Sequence, residues 1–172
     1  NGQDRWVATN FKRAMELKPQ KWQPYQGLCQ YYINKGDLAK ADKWARKMGR
    51  RFGKNWRAWH LRASVAFQRG RVKRAISFAE RSISLNSKNP KAYNLLGLIY
   101  LKQKKWSMAD VAFKSARAFR PNSPYIWNNL GVVAEKTKDF VKAKKYYQKA
   151  VELLPTHPTA KDNLERVSEK AS

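Results

Sequence analysis

The sequence predicts an all-α protein made of stacked helix pairs, and three observations support this. First, a pattern recurs every 34 residues, so that large aromatics fall in register at Tyr25, Trp59, Tyr93 and Trp127. Alanine recurs at the same interval, at Ala41, Ala75, Ala109 and Ala143. Second, apolar residues within each period are spaced by three and four, as in amphipathic helices. Third, each period closes on a residue that breaks or caps helices. Repetition of this length is typical of solenoids, in which each repeat packs mainly on its neighbours.

The elements follow in order from this period. We expect complete repeats at 22–55, 56–89, 90–123 and 124–157, each holding two helices. Residues 1–21 are expected to form the second helix of a truncated repeat, which implies that the chain continues upstream. Residues 158–172 are expected to form a polar C-terminal capping helix. The prediction is ten helices in a single domain, 1–172.

The third and fourth repeats carry the most regular pattern. The third repeat has an aromatic, a leucine–glycine pair and an aromatic in its first helix, then alanine, aromatic, alanine and a closing proline: Tyr93, Leu96, Gly97, Tyr100, Ala109, Phe113, Ala116 and Pro121. This pattern resembles the tetratricopeptide repeat family. The first two repeats depart from it, with Cys29 in place of a glycine and Arg62–Ala63 in place of the Leu-Gly pair. The resemblance implies a right-handed superhelical solenoid of helix-turn-helix repeats that serves as a protein–protein interaction scaffold.

Residues suited to catalysis or metal binding are sparse. His60 and His157 lie at different places in the repeat, and neither has a cysteine or carboxylate at metal-ligand spacing. Cys29 occupies a small packing position, which favours a structural role. The sequence also lacks a glycine-rich phosphate loop and a nucleophile motif. We therefore expect no enzyme activity, no metal and no cofactor.

The resemblance implies a partner-binding groove lined by the first helix of each repeat. Carried over to this sequence, the groove residues are Gln26, Gln30, Arg57, His60, Phe67, Lys91, Asn94, Leu98, Leu101, Lys102, Tyr125, Asn128 and Val132. They combine amides, a few cations and an apolar strip formed by Phe67, Leu98, Leu101 and Val132. The amides could pair with a peptide backbone, and contiguous exposed apolar residues often mark interaction sites. The Lys and Asn set with which some family members grip carboxylate tails is absent from the matching places.

The net charge of +25, from 37 Lys and Arg against 12 Asp and Glu, indicates an anionic partner. A dense cationic run lies on one predicted second helix and extends into the next repeat. We define the basic face as Lys40, Lys43, Arg46, Lys47, Arg50, Arg51, Lys54, Arg71, Lys73 and Arg74. The expected partner is an acidic protein or peptide. The alternative is a polyanion, such as RNA, DNA, anionic lipid or an envelope polymer, bound mainly through counterion release. A strongly charged surface without a dedicated partner is a third interpretation.

The sequence contains no apolar run of the roughly 18 residues that a membrane span requires, so we expect no transmembrane segment. It also begins without the basic and apolar regions of a secretory signal. A mature protein whose signal had been removed would look the same. The compartment therefore stays unknown: cytoplasmic by default, periplasmic or exported if a signal was removed. We expect the chain to belong to a larger protein or complex.

Overall fold

The computed structural model describes residues 2–171, except for the side chain of Asp4, and these residues form ten α-helices and no strand. The helices are α1 (Gly2–Leu17), α2 (Gln23–Asn34), α3 (Leu38–Arg51), α4 (Trp56–Gln68), α5 (Val72–Leu85), α6 (Pro90–Lys102), α7 (Trp106–Phe119), α8 (Pro124–Lys136), α9 (Phe140–Leu153) and α10 (Ala160–Ser168). The all-α class and the helix-turn-helix architecture are confirmed. None of these helices is both long and apolar enough to cross a membrane.

The chain divides into two compact units. The first, Asn1–Ser87, contains α1 to α5, and the second, Lys88–Ser172, contains α6 to α10. Within each unit every helix packs against the next along the chain. The single-domain assignment and the repeat boundaries given above stay predictions.

The first unit has an apolar core between α2, α3 and α4. Leu28, Met48 and Val65 are fully buried there. The small residue Cys29 is buried as well, and its thiol donates to the Ala41 carbonyl oxygen at 3.3 Å. Burial raises the pKa of the Cys29 thiol to about 12, so it stays protonated at neutral pH.

In the second unit, glycines allow the two helices of each pair to approach closely. A Cβ atom on Gly97 would lie 2.4 Å from Cε1 of Phe113, and one on Gly131 would lie 2.4 Å from Cε1 of Tyr147. Both rings are completely buried. The glycine and the second-helix aromatic of the sequence pattern thus pack against each other, and the two repeats make the same contact.

The turn within each helix pair uses a left-handed residue every 34 positions. Gly36, Gly70, Lys104 and Lys138 have φ angles of 75°, 71°, 60° and 63°. Glycine adopts this conformation without steric cost, whereas lysine does not. Side chains at the N-cap position fix the starts of α3, α4 and α9: Asp37 accepts from Lys40 N, Asn55 from Arg57 N and Asp139 from Lys142 N.

Candidate interaction surfaces

The basic face lies in the first unit, on α3, the α3–α4 loop and the start of α5. Nine of its ten side chains are exposed, and Lys47 is half-buried. This unit holds 20 of the chain's 37 Lys and Arg but only five of its 12 Asp and Glu. The positive potential is therefore greatest here.

One carboxylate organises part of this surface. Asp42 Oδ2 lies 2.6 Å from Arg69 Nη1, 3.2 Å from Arg71 Nη1 and 3.7 Å from Arg46 Nη2. The Asp42 side chain is only 16% exposed, so water screens these contacts incompletely. Arg71, a member of the basic face, and Arg69 thus tie α3 to the α4–α5 turn, whereas Arg46 pairs with Asp42 within α3.

Three further members of the basic face contact groups in their own unit. Lys40 pairs with Asp37 at 2.8 Å. Lys47 places its ammonium 4.5 Å from the ring centroid of Trp44, and Arg51 Nε donates to the Pro19 carbonyl oxygen at 2.8 Å. These contacts orient the side chains, but those of Lys47 and Arg51 involve neutral groups and leave the cationic charge uncompensated.

The remaining members of the basic face are exposed and form no ion pair with the described side chains: Lys43, Arg50, Lys54, Lys73 and Arg74. On α3, Lys47 lies four residues after Lys43 and three before Arg50, and like charges at these spacings on a helix repel one another. An anionic partner would relieve this repulsion.

Arg62, which the sequence analysis did not select, contributes to the same field. Its guanidinium lies 4.1 Å from the Phe78 ring centroid and 4.8 Å from that of Trp59. Burial lowers the pKa of Arg62, and repulsion from Arg46 and Arg74 also acts in that direction. The stem of Arg62 fits against α3 because position 49 is glycine.

Aromatic rings near the basic face are largely engaged in packing. Trp44 is buried in the core, and Trp59 donates from Nε1 to the Gly53 carbonyl oxygen at 2.6 Å. Phe52 packs edge-on against Tyr25 with the ring centroids 5.5 Å apart. The guanidinium of Arg57 lies over the ring of Trp56, 4.4 Å from its centroid.

The predicted groove residues of the first unit differ in accessibility. Gln30 is exposed on α2 and donates to the Asn34 amide oxygen at 2.9 Å, and Gln26 is half-buried. On α4, the half-buried His60 ring lies edge-on to Trp56, with a centroid distance of 6.4 Å. Phe67 is half-buried on the same helix.

In the second unit the structure brings three predicted groove residues, Lys91, Asn94 and Tyr125, to one cleft. The cleft measures about 240 Å³ and is completed by residues that sequence reasoning missed, Pro90, Arg120, Ser123 and Ile126. Lys91 and Arg120 are exposed cations, and the cleft lining contains no acid. The cleft is therefore suited to a carboxylate or another anionic group.

Two asparagine pairs link the first helices of the second unit. Asn129 Nδ2 donates to Asn94 Oδ1 at 3.0 Å, and Asn163 Nδ2 donates to Asn128 Oδ1 at 3.0 Å. The pairs are related by one 34-residue step, so α6, α8 and α10 are joined in the same way twice. Asn128, a predicted groove residue, is buried, and its oxygen is committed to this internal bond.

The apolar strip is less exposed than the sequence pattern indicated. Leu98 and Leu101 are partly buried against the core of the second unit, and Val132 is partly buried against Ala134 and its neighbours. Lys102, at the end of α6, is exposed. The only strongly exposed large apolar side chain among these groove residues is Tyr125, at 55%.

Glu135 on α8 is an ionised acid whose charge is compensated by an arginine of the second unit. It accepts from Arg166 Nη2 at 2.7 Å, from Arg166 Nε at 3.1 Å and from the Tyr147 hydroxyl at 2.9 Å. Burial opposes ionisation of Glu135, but these hydrogen bonds outweigh it and hold the pKa of the carboxyl below its ordinary value.

His157 caps the start of α10. Its Nδ1 accepts from Thr159 N at 3.3 Å and from Ala160 N at 3.1 Å, and its ring lies 4.8 Å from that of Tyr125. Burial lowers the pKa of His157, which favours the neutral imidazole that this cap requires. Among the side chains that the structure describes, no three of His, Cys, Asp or Glu come together as a metal site would need.

Comparison with known families identifies two regions of repeats. Models of the tetratricopeptide repeat match residues 28–90 and residues 124–157. No curated protein matches the chain.

Several solved structures share this fold at low sequence identity. TTC0263, a thermophilic TPR protein of Thermus thermophilus, superposes with a TM-score of 0.82 at 17% identity, over 98% of this chain and 92% of its own. PilF of Pseudomonas aeruginosa gives a TM-score of 0.82 at 21% identity, over 89% and 70%. A chain of the APC/C hetero-tetramer Cut9–Hcn1 gives 0.84 at 18% identity, over 96% of this chain but only 33% of its own length.

The family matches, the all-helical architecture and these structural neighbours agree with one another. Proteins of the tetratricopeptide repeat family generally serve as scaffolds for protein–protein interactions and are generally not catalytic. The chain belongs to the tetratricopeptide repeat family.

Proposed function

We propose that this chain is a non-enzymatic scaffold that binds an acidic protein or peptide through its basic face and its groove. The observation that carries the proposal is the set of exposed cations without an ion pair: Lys43, Arg50, Lys54, Lys73 and Arg74. Such a surface is electrostatically unfavourable in isolation and complementary to a cluster of carboxylates. Complementarity of this kind raises association rates and excludes partners of like charge.

The cationic cleft of the second unit supports the same class of partner. Lys91 and Arg120 supply charge, while Asn94 and Ser123 supply neutral hydrogen-bonding groups. The Nδ2 group of Asn94 has no acceptor among the described residues, so it can donate to a ligand. A site of this composition can bind both a carboxylate and a peptide carbonyl.

A nucleic acid is the main competing partner for so basic a surface. Single-stranded nucleic acids are bound by stacking bases on exposed rings as well as by cations. Trp44, Phe52 and Trp59 are engaged in packing, and the guanidinium of Arg57 lies over the ring of Trp56. This shortage of open rings beside the cations favours a protein partner.

The test is affinity capture from lysate of the source cells, with and without nuclease, followed by mass spectrometry and nucleic-acid quantification. The chain is compared with a variant in which Lys43, Arg50 and Lys54 are changed to Glu. A control variant carries the same charge change in the second unit, at Lys144, Lys145 and Lys161, which also lack ion pairs in the described part of the chain.

We expect an acidic protein to be captured both with and without nuclease treatment. The control variant should capture it as well as the unmodified chain does, and the basic-face variant should capture at least about tenfold less. Full retention by the basic-face variant would contradict the assignment of the surface. Recovery of nucleic acid without such a protein would instead support the polyanion alternative.

A further inference from the structure

In the first unit, the guanidinium of one arginine lies over the rings of two tryptophans. The guanidinium carbon of Arg57 lies 4.4 Å from the ring centroid of Trp56 and 4.8 Å from that of Trp22. The two tryptophans are 34 residues apart and hold the same position in consecutive repeats. These contacts therefore join the start of α2 to the start of α4.

Contact with aromatic rings does not use up the N–H groups of a guanidinium. The side-chain N–H groups of Arg57 have no acceptor among the described side chains and backbone. The backbone of the same residue is also fixed, because Arg57 N donates to the cap Asn55 at 3.0 Å. A half-buried guanidinium in contact with two rings has lost part of its side-chain entropy before any ligand arrives.

The surroundings of Arg57 are cationic. Arg57 and Trp56 line a shallow depression of about 690 Å³ together with Arg51, Phe52, Gly53, Lys54 and Asn55. Its lining contains three cations and no acid. The bond from Arg51 Nε to the Pro19 carbonyl oxygen holds a second guanidinium at this edge. Phe52 is fixed by its contact with Tyr25.

We propose that this depression is a carboxylate-binding subsite for an Asp- or Glu-rich segment of a partner protein, with Arg57 as the bidentate donor. The inference rests on the proposed function and adds the position and chemistry of one subsite. A planar guanidinium matches the two oxygens of a carboxylate, which a lysine ammonium cannot do. Arg51 and Lys54 supply flanking charge for neighbouring carboxylates. A nucleobase stacking on the same indole faces would have to displace Arg57.

The test uses fluorescence anisotropy at near-physiological salt, with a fluorescein-labelled peptide of alternating Glu and Gly residues as the probe. Arg57→Lys preserves net charge, so any loss reports the planar guanidinium rather than the general field. The control is Arg81→Lys, at an exposed arginine on α5 outside the depression. Circular dichroism verifies that each variant is folded.

The expected result is a Kd raised about tenfold by Arg57→Lys and unchanged by Arg81→Lys, as for loss of one charge-assisted hydrogen bond. Trp56→Leu, which keeps the charge but removes one of the two rings, should weaken binding by an intermediate factor.

Two results would overturn the inference. Peptide binding that is insensitive to Arg57→Lys would exclude this subsite while leaving the scaffold proposal intact. If the unmodified chain instead bound an oligothymidylate and failed to bind the peptide, that result would overturn the acidic-partner proposal and the subsite together.

Discussion

Replacing Gly97 with alanine should destabilise the second unit, although the same change at an open helix position stabilises a protein. The added Cβ would lie 2.4, 2.5 and 2.7 Å from three ring carbons of Phe113. Non-bonded carbon atoms prefer separations of about 3.5–4.0 Å, so each contact is too short by about an ångström. Phe113 is completely buried, and its ring has no open space to enter.

Two opposing effects determine the magnitude. Alanine is favoured over glycine in a helix interior by about 1 kcal/mol. Overpacking a well-filled core costs about 1–3 kcal/mol, and three simultaneous overlaps place Gly97→Ala at the upper end of that range. We therefore expect a net loss of about 1–2 kcal/mol in the free energy of unfolding.

The assay is urea unfolding followed by far-ultraviolet circular dichroism. Gly49→Ala is the matched control, because its Cβ would meet the Arg62 side chain, Cδ at 2.7 Å, and a flexible chain can move aside. We expect Gly49→Ala to cost clearly less than Gly97→Ala. Adding Phe113→Leu to Gly97→Ala should cost less than the sum of the two single changes. Unchanged or increased stability of Gly97→Ala, with additive behaviour in the double variant, would refute the packing argument.

Four other substitutions and conditions test the polar contacts and one turn. The free energy of unfolding should fall as pH drops below about 6.5, because the pKa of His157 is lower in the folded than in the unfolded state. In His157→Asn, the free energy of unfolding should depend less steeply on pH in this range. Asp42→Asn should cost about 1–3 kcal/mol in urea unfolding, with a smaller loss at high salt, since it removes the counter-charge of three arginines. Arg166→Met should raise the pKa of Glu135 above its ordinary value, as measured by carboxyl NMR, because burial then acts with less opposition. Lys104→Gly should raise the thermal midpoint and increase the free energy of unfolding by up to about 1 kcal/mol, because glycine adopts the left-handed conformation of residue 104 without steric strain.

The helical architecture was predictable from the sequence because its determinants are local and periodic. The Gly97–Phe113 contact repeats as Gly131–Tyr147 after one period, and each partner holds a fixed place in the pattern. A periodic signal of this kind reports which helix faces pack together. The exposed cations of α3 were predictable for the same reason, since their spacing places them on one helix face.

The specific polar contacts were not predictable, because they depend on how neighbouring helices are placed. Asp42 reaches Arg69 and Arg71 across a helix pair, although α3 offers cations much closer in sequence. The contact of Arg57 with Trp22 and Trp56 depends on bringing α2 and α4 together at their first residues. One signal could have indicated this contact: both tryptophans hold the first position of their repeats.

The apolar groove strip shows what repeat position cannot predict. Repeat position alone marked Leu98 and Leu101 as available for binding, yet both are partly buried in the core of the second unit. Position in a repeat predicts the direction in which a side chain leaves its helix. It does not predict how much neighbouring side chains cover it.

The most direct test of an acidic partner on the basic face is NMR mapping with backbone amide assignments. The Glu-Gly peptide is titrated into the labelled chain at near-physiological salt. A binding surface on the basic face should give saturable shifts concentrated between Lys43 and Arg57, with little change around Lys144 and Lys145. Shifts distributed evenly over all cationic segments would show attraction by net charge alone and would contradict a dedicated binding surface.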